Sequence, residues 1–268
     1  MRLISTETYE VKEFIESSDE SFGVDLPFYV ILSHTWGVDE VTFEDIERGN
    51  FKKKKGFQKL EGYCRIARSN GFSWAWMDTC CIDKRSSTEL SEAINSMFAW
   101  YKRSLVCYVY LDDFDGFGDY GRCRWFTRGW TLQELISPRM VVFFNRDWRD
   151  FGEKSELAER ISQVTWIDEA LLRSQSDLSD FSVAEKMRWA SRRKTTRVED
   201  RSYSLLGLFN VNIPLLYGEG HAAFYRLQEE IVKSSSDLSM FVWWKPWGVS
   251  TLDSNTNWGL FASSPAFF

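Results

Sequence analysis

Three stretches of the chain end apolar runs on side chains capable of chemistry. "YVILSHTWG" (29 to 37) delivers Ser33, His34, Thr35, Trp36 and Gly37. "FSWAWMDTCCID" (72 to 83) delivers Asp78, Thr79, Cys80, Cys81 and Asp83, and "VCYVYLDD" (106 to 113) delivers Asp112 and Asp113. In open α/β sheets, ligands bind outside the carboxyl ends of the strands, so these are the positions to weigh. His34 and Cys80 or Cys81 follow two different runs, which admits a Cys-His nucleophilic dyad, although no local nucleophile signature surrounds either thiol. Asp78 has the setting of a phosphoryl-accepting aspartate, but the acidic partner two positions on is replaced by Cys80. Taken singly, each polar residue also suits a helix cap or a turn.

A fourth stretch raises a geometric question. "RGWTLQEL" (128 to 135) reads as helix and sets Trp130 and Glu134 four residues apart. At 100° per residue, Trp125, Leu132, Leu135 and Ile136 fall on one side, and Phe126, Trp130 and Glu134 on the other. The second face could pack on later helices, or it could place a carboxylate beside an aromatic wall at the strand ends. "LYGEGHAAF" (216 to 224) holds a lone G-x-G that opens a helix, a weaker signal for a phosphate loop than for a helix start.

Bulk properties narrow the choices. The 268 residues, 44% of them hydrophobic, can bury a sizeable core. A net charge of -6 argues against nucleic acid as the main partner, because phosphate binding needs a concentrated basic surface. "KKKK" at 52 to 55 is short and isolated, as a solvated helix start or loop would be. The N-terminus lacks the apolar core of a signal peptide and no segment approaches a membrane span, so a cytoplasmic location is expected. Five cysteines without a C-x-x-C pair, and only two histidines, indicate neither a disulfide framework nor a metal site.

The elements that must position these residues follow from periodicity. β-rich runs at 29 to 33, 106 to 111 and 140 to 144, and an alternating run at 72 to 78, are interleaved with helical patterns at 57 to 70, 86 to 103 and around 125 to 136. That alternation predicts an α/β fold with a flavodoxin-like parallel sheet and helices on both faces. From about 151 helices dominate, at 154 to 164, 182 to 192, 199 to 209 and 221 to 234, with one more strand expected at 238 to 244. No Pro- or Gly-rich linker divides the halves. We therefore expect a single domain, with residues 26 to 150 as the α/β core and 151 to 268 as a mostly helical extension packed on it.

"YVILSHTWG", "WMDTCCIDKRSSTELSEAINSMFAWY", "RWFTRGWTLQEL", "RKTTRVEDRSYSLLGLF" and "PLLYGEGHAAFYRLQEEI", in that order, resemble the fungal heterokaryon-incompatibility (HET) domain. The resemblance runs from Met1 to about Trp244. It implies a fungal cytosolic effector of regulated cell death in non-self recognition and innate immunity, often coupled to an upstream sensor. The first half is also similar, more distantly, to Toll/interleukin-1 receptor (TIR) domains. Their strand ending in Ser, strand ending in Asp and helix bearing W-x-x-x-E-L correspond to Ser33, Asp78, and Trp130 with Glu134 and Leu135. "HTWGVDE" departs from the usual first loop of that family, and the half after 151 has no counterpart in it.

What this second resemblance implies is NAD cleavage with Glu134 as the catalytic carboxylate. NAD or a related nucleotide is then the substrate, and no prosthetic group or metal is called for. Ser33, His34, Trp36, Gly37, Asp78, Cys80 and Trp130 are the expected nucleotide-binding residues. Self-association, which commonly completes the TIR cleft, is expected too. Breaking the nicotinamide-ribose bond releases a neutral pyridine from a cationic one, so one carboxylate near the ribose could serve as it does in glycoside hydrolysis. A non-catalytic death-fold scaffold acting by self-association is the main alternative, and a Cys-His hydrolase a lesser one.

Overall fold

A computed structural model describes residues 1–14, 26–244 and 260–268. Seven strands form one mixed sheet: β1 (Arg2–Ser5), β2 (Val11–Glu13), β3 (Tyr29–His34), β4 (Trp74–Trp76), β5 (Val106–Tyr110), β6 (Val141–Phe144) and β7 (Asp150–Glu153), in the order β2-β1-β4-β3-β5-β6-β7. The central four are parallel, and β2, β1 and β7 extend the sheet antiparallel at its edges. The parallel strands follow the flavodoxin order 2-1-3-4, which puts the topological switch point between β3 and β5. Every residue of β3 and β5 is buried, which is why both read as unbroken apolar runs.

Helices lie between the strands: α1 (Phe43–Glu47), α2 (Phe57–Ser69), α3 (Asp78–Cys81), α4 (Ser87–Arg103) and α5 (Thr131–Ile136). Ser86 begins α4 by accepting the amide of Glu89, as its position before an acidic first turn predicts. Two buried tyrosines stitch helices to the sheet. Tyr63 of α2 donates to the Trp76 carbonyl at 3.1 Å, and Tyr101 of α4 donates to the Leu32 carbonyl at 2.9 Å.

Beyond the sheet come α6 (Ala158–Thr165), α7 (Glu169–Leu172), α8 (Val183–Ala190), α9 (Asp200–Tyr203), α10 (Leu206–Phe209) and α11 (Ala222–Ser234). Three expectations need correction. Residues 238 to 244 form no strand: Leu238–Phe241 is a 3-10 turn begun by the Asp237 side chain, which accepts the Ser239 amide at 2.8 Å and the Val183 amide at 2.6 Å. The stretch 199 to 209 is two short helices, α9 and α10, instead of one.

The third correction bears on function. The helix around 125 to 136 is not continuous. Arg124–Thr127 is a 3-10 turn, Arg128 is extended, and only Thr131–Ile136 is α-helical. A distant segment causes the break, because Lys194 donates its amide to the Thr127 carbonyl at 2.7 Å and accepts the Gly129 amide at 2.9 Å. Position 129 must be glycine for this approach, since a Cβ there would lie 2.5 Å from the Thr195 methyl.

The helical half touches the sheet half closely at Gly207 of α10, where a Cβ would lie 2.1 Å from Phe98 Cβ of α4. We propose that residues 1–150 and 151–268 unfold as one unit. Gly207→Ala should then destabilise the chain by about 1–3 kcal/mol through overpacking. Tryptophan fluorescence and far-UV circular dichroism should report the same lowered midpoint, whereas a shift seen by one probe alone would separate the halves.

Candidate functional site

The pleat of β3 divides its C-terminal residues between two faces, because successive strand side chains point in opposite directions. Ser33 faces α5. Its hydroxyl donates a short hydrogen bond to Glu134 Oε2 and accepts Trp125 Nε1 at 2.8 Å. Ser33 and Trp125 are completely buried and Glu134 is 8% exposed. Burial pushes the Glu134 carboxyl up to about 8. The Ser33 bond opposes that shift, Asp78 adds repulsion, and Arg128 and Arg193 draw the value down. The group is therefore largely protonated at neutral pH.

Two buried cations hold α5 in place. Lys154 Nζ donates to the carbonyls of Leu135 at 3.2 Å and Pro138 at 2.7 Å, meeting orphan carbonyls at the C-terminal end of α5. Burial pulls its ammonium down to about 8. Arg193 donates through Nη1 to the Arg128 carbonyl at 2.9 Å and to Thr131 Oγ1 at 2.8 Å, fixing the first turn.

His34 faces α2 on the other side of the strand. Lys59 Nζ donates to His34 Nδ1 at 3.0 Å, to the Thr35 carbonyl at 3.0 Å and to the Glu40 carboxylate. An ammonium has only donors, so Nδ1 accepts, and Nε2 carries the proton that it donates to Asp78 Oδ1 at 3.1 Å. Asp78 also accepts Trp36 Nε1 at 3.0 Å and Lys84 Nζ at 3.4 Å, and Lys84 lies 3.5 Å over the Trp36 ring. Burial opposes the Asp78 charge, but Lys84 and His34 outweigh it and hold this carboxyl well below the usual range. Gly37 donates its amide to Glu40 and so shapes the turn after β3. At the switch point, Thr35 Oγ1 donates to Asp112 Oδ1 at 2.9 Å, linking the ends of β3 and β5.

The expected residues are thus brought together in part. Ser33 meets Glu134, and His34 and Trp36 meet Asp78, while Asp78 lies close enough to repel the Glu134 charge. Trp130 lies near Asp200, whose carboxyl is raised by burial against the lowering effects of Tyr217 and Trp130, and Asp200 accepts Tyr217 at 3.0 Å. Cys80 is fully buried in the core, with Sγ against the Val41 carbonyl at 3.4 Å, and burial pushes its thiol well above its ordinary value. The Gly218 and Gly220 amides are filled by the Glu199 carboxylate at 2.8 Å and 3.1 Å, so the G-x-G stretch serves the fold.

Sequence reasoning missed Trp125, assigned to a core face, and also Lys59, Lys154 and Arg193. Only Arg193 carried a signal, as the first residue of the "RKTTRVEDRSY" stretch.

Fold and site define a doubly wound α/β protein with a buried carboxyl at the end of its first central strand. A family profile described as heterokaryon incompatibility protein (HET) matches residues 29–119. Vegetative incompatibility protein HET-E-1 of Podospora anserina is 48% identical over 228 residues, which cover 80% of this chain and 17% of that protein. No solved structure matches the chain. The chain belongs to the heterokaryon-incompatibility domain family. It spans about 17% of the length of this relative. Among the described residues no helix is long and apolar enough to cross a membrane.

The Glu134 environment has a thermodynamic signature. With its carboxyl raised from 4.5 to about 8, the native state binds up to one proton more than the unfolded chain between those values. This contribution is complete below the unfolded value and is lost as pH rises through about 8. Glu134→Gln, which keeps the neutral shape, should remove that slope. Urea titrations from pH 5 to 8 should show wild type losing up to about 1.4 kcal/mol per pH unit relative to the variant. Parallel curves would place the Glu134 proton elsewhere.

Proposed function

We propose that this chain is a cytoplasmic effector of incompatibility-type cell death that cleaves NAD at the nicotinamide-ribose bond, with Glu134 as the acting carboxylate. The observation that carries the reading is the buried Glu134 carboxyl, bonded by Ser33 at the end of β3 and raised to about 8. Strongly perturbed carboxyls at the ends of doubly wound strands are where chemistry concentrates. The distant TIR likeness supplies the substrate, and the relative's name supplies the biological setting. No prosthetic group is needed. Asp78, kept ionised by Lys84 and His34, offers a negative charge to the cationic pyridinium of NAD, with Trp36 as a stacking surface at the rim. The entering pyridinium would in turn favour the ionised form of Glu134. That carboxylate then stabilises the oxocarbenium-like transition state as neutral nicotinamide departs.

The thiol hydrolase is disfavoured by geometry. His34 is engaged by Lys59 and Asp78, and Cys81, like Cys80, is buried, its thiol pushed up to about 12. The scaffold reading is favoured by one observation, the closure of the site, with Ser33 wholly buried and Glu134 nearly so. We propose that closure is relieved on self-association downstream of a sensor, so specific activity should rise with protein concentration.

Incubation with NAD should release nicotinamide at a rate that rises with pH through about 8, as Glu134 ionises in the free protein. Glu134→Gln should reduce the rate by about 10²-10³ or more without loss of fold. Cys80→Ala and Cys81→Ala should leave it largely intact. Expression of Glu134→Gln should no longer kill cells. Killing that persists in this variant, with no nicotinamide from wild type, would establish the scaffold instead.

A further inference from the structure

The segment after α8 builds a second, unassigned feature. The two backbone bonds between Lys194 and residues 127 and 129 press "SRRKTT" (191 to 196) against the approach to α5. Beside them lies a cavity of about 380 Å³, lined by Arg192, Arg193, Lys194, Arg201, Ser204 and Ser264 among others. Among the described residues no Asp or Glu contributes to its lining. In a chain of net charge -6, four converging cations without a carboxylate are a departure that needs a reason.

Their partners do not supply one. Among the described residues no carboxylate forms an ion pair with Arg192, Arg193, Lys194 or Arg201, whereas cations such as Lys59, Arg85, Arg124 and Arg226 are bridged. Arg192 instead lies 3.4 Å over the Trp166 ring. Arg193 is 9% exposed, and its Nη2 is buried without a hydrogen-bond partner. Unpaired buried guanidinium nitrogens are costly, and like charges around a small cavity repel unless an anion joins them. Guanidinium forks, an ammonium and serine hydroxyls together form the donor set that suits a phosphate group.

We propose that this cavity is a binding site for a phosphate-bearing small molecule, distinct from the Glu134 site. The volume admits a phosphate, a pyrophosphate or a mononucleotide, within the range of small-ligand pockets. The inference stands whether or not Glu134 cleaves NAD, because it rests on a different set of residues. It also gives a ligand a route to α5, since Arg193 lines the cavity and bonds Thr131 in the turn preceding Glu134.

The test is calorimetric titration of the full chain at low salt with inorganic phosphate, pyrophosphate, AMP and, as the uncharged control, adenosine. Pyrophosphate or AMP should bind, weaken as salt is raised, and raise the melting temperature, while adenosine should do neither. AMP tighter than pyrophosphate would identify a nucleotide as the ligand class, and the reverse an inorganic phosphate. Lys194→Gln with Arg201→Gln removes two exposed charges, and should weaken binding at least tenfold without lowering the unliganded melting temperature. Absence of heat with every phosphate up to about 10 mM, equal binding of adenosine, or unaltered affinity in the double variant would overturn the proposal.

Discussion

A carboxyl group removed from water must find hydrogen bonds and nearby charge in place of what water supplied, or give up its own charge. Glu134 does both. Its proton is retained, and Ser33 stands where water would, oriented in turn by the Trp125 indole. This arrangement constrains much around it. Helix α5 spans only Thr131–Ile136, too short to hold a position by its own propensity. Lys154 therefore secures its C-terminal carbonyls, Arg193 its first turn, and Lys194 the backbone that leads into it. Each of these cations comes from a segment after β6, so the carboxyl at the end of β3 is set in place by the later part of the chain.

The two carboxyls of the site stand in opposite electrostatic states for separable reasons. Asp78 has Lys84 and His34 at hydrogen-bond range and stays charged, whereas burial keeps Glu134 protonated against the pull of the Ser33 hydrogen bond and of Arg128 and Arg193. The charge on Asp78 itself contributes to keeping the proton on Glu134. Pairs of groups pushed apart in this way are how one fold holds an acid and a base at the same pH. The pleat reinforces the separation by sending Ser33 and His34 to different faces, so the Lys59 and Glu40 network around His34 does not reach Ser33.

Legibility in the sequence followed burial. The strands β3 and β5 could be read because burial on both faces leaves unbroken apolar runs, β4 by its alternation and β6 by its apolar run, and α2, α4 and α11 because one face of each is buried at helical spacing. The edge strands β1, β2 and β7 could not, since "RLIS", "VKE" and "DFGE" are short and mix polar with apolar residues. The break before α5 was hidden for a different reason. Local spacing around Trp130 is helical, and only pairing with Lys194, some 65 residues away, extends the backbone at Arg128. The same holds for the site. Ser33 and Glu134 were each legible as strand-end and helix candidates, but their contact spans 101 positions and depends on the sheet order. Lys154, in "GEKS", has nothing local to distinguish it from a solvated lysine.

Trp130 illustrates how one motif serves two needs. Its backbone begins α5, and its side chain lies near Asp200, whose carboxyl accepts Tyr217. Beside that contact, Glu199 fills the Gly218 and Gly220 amides, and Tyr203 donates to Glu219 at 2.7 Å. The "RVEDRSY" and "YGEGH" stretches are therefore joined to each other through part-buried hydrogen bonds. A polar network of this kind tolerates little partial loss, because each unpaired member would leave a desolvated group behind. Glu134 is presented to Ser33 from the short helix whose approach is held by Lys194, while Trp130, at the start of that helix, lies near Asp200 of the later half.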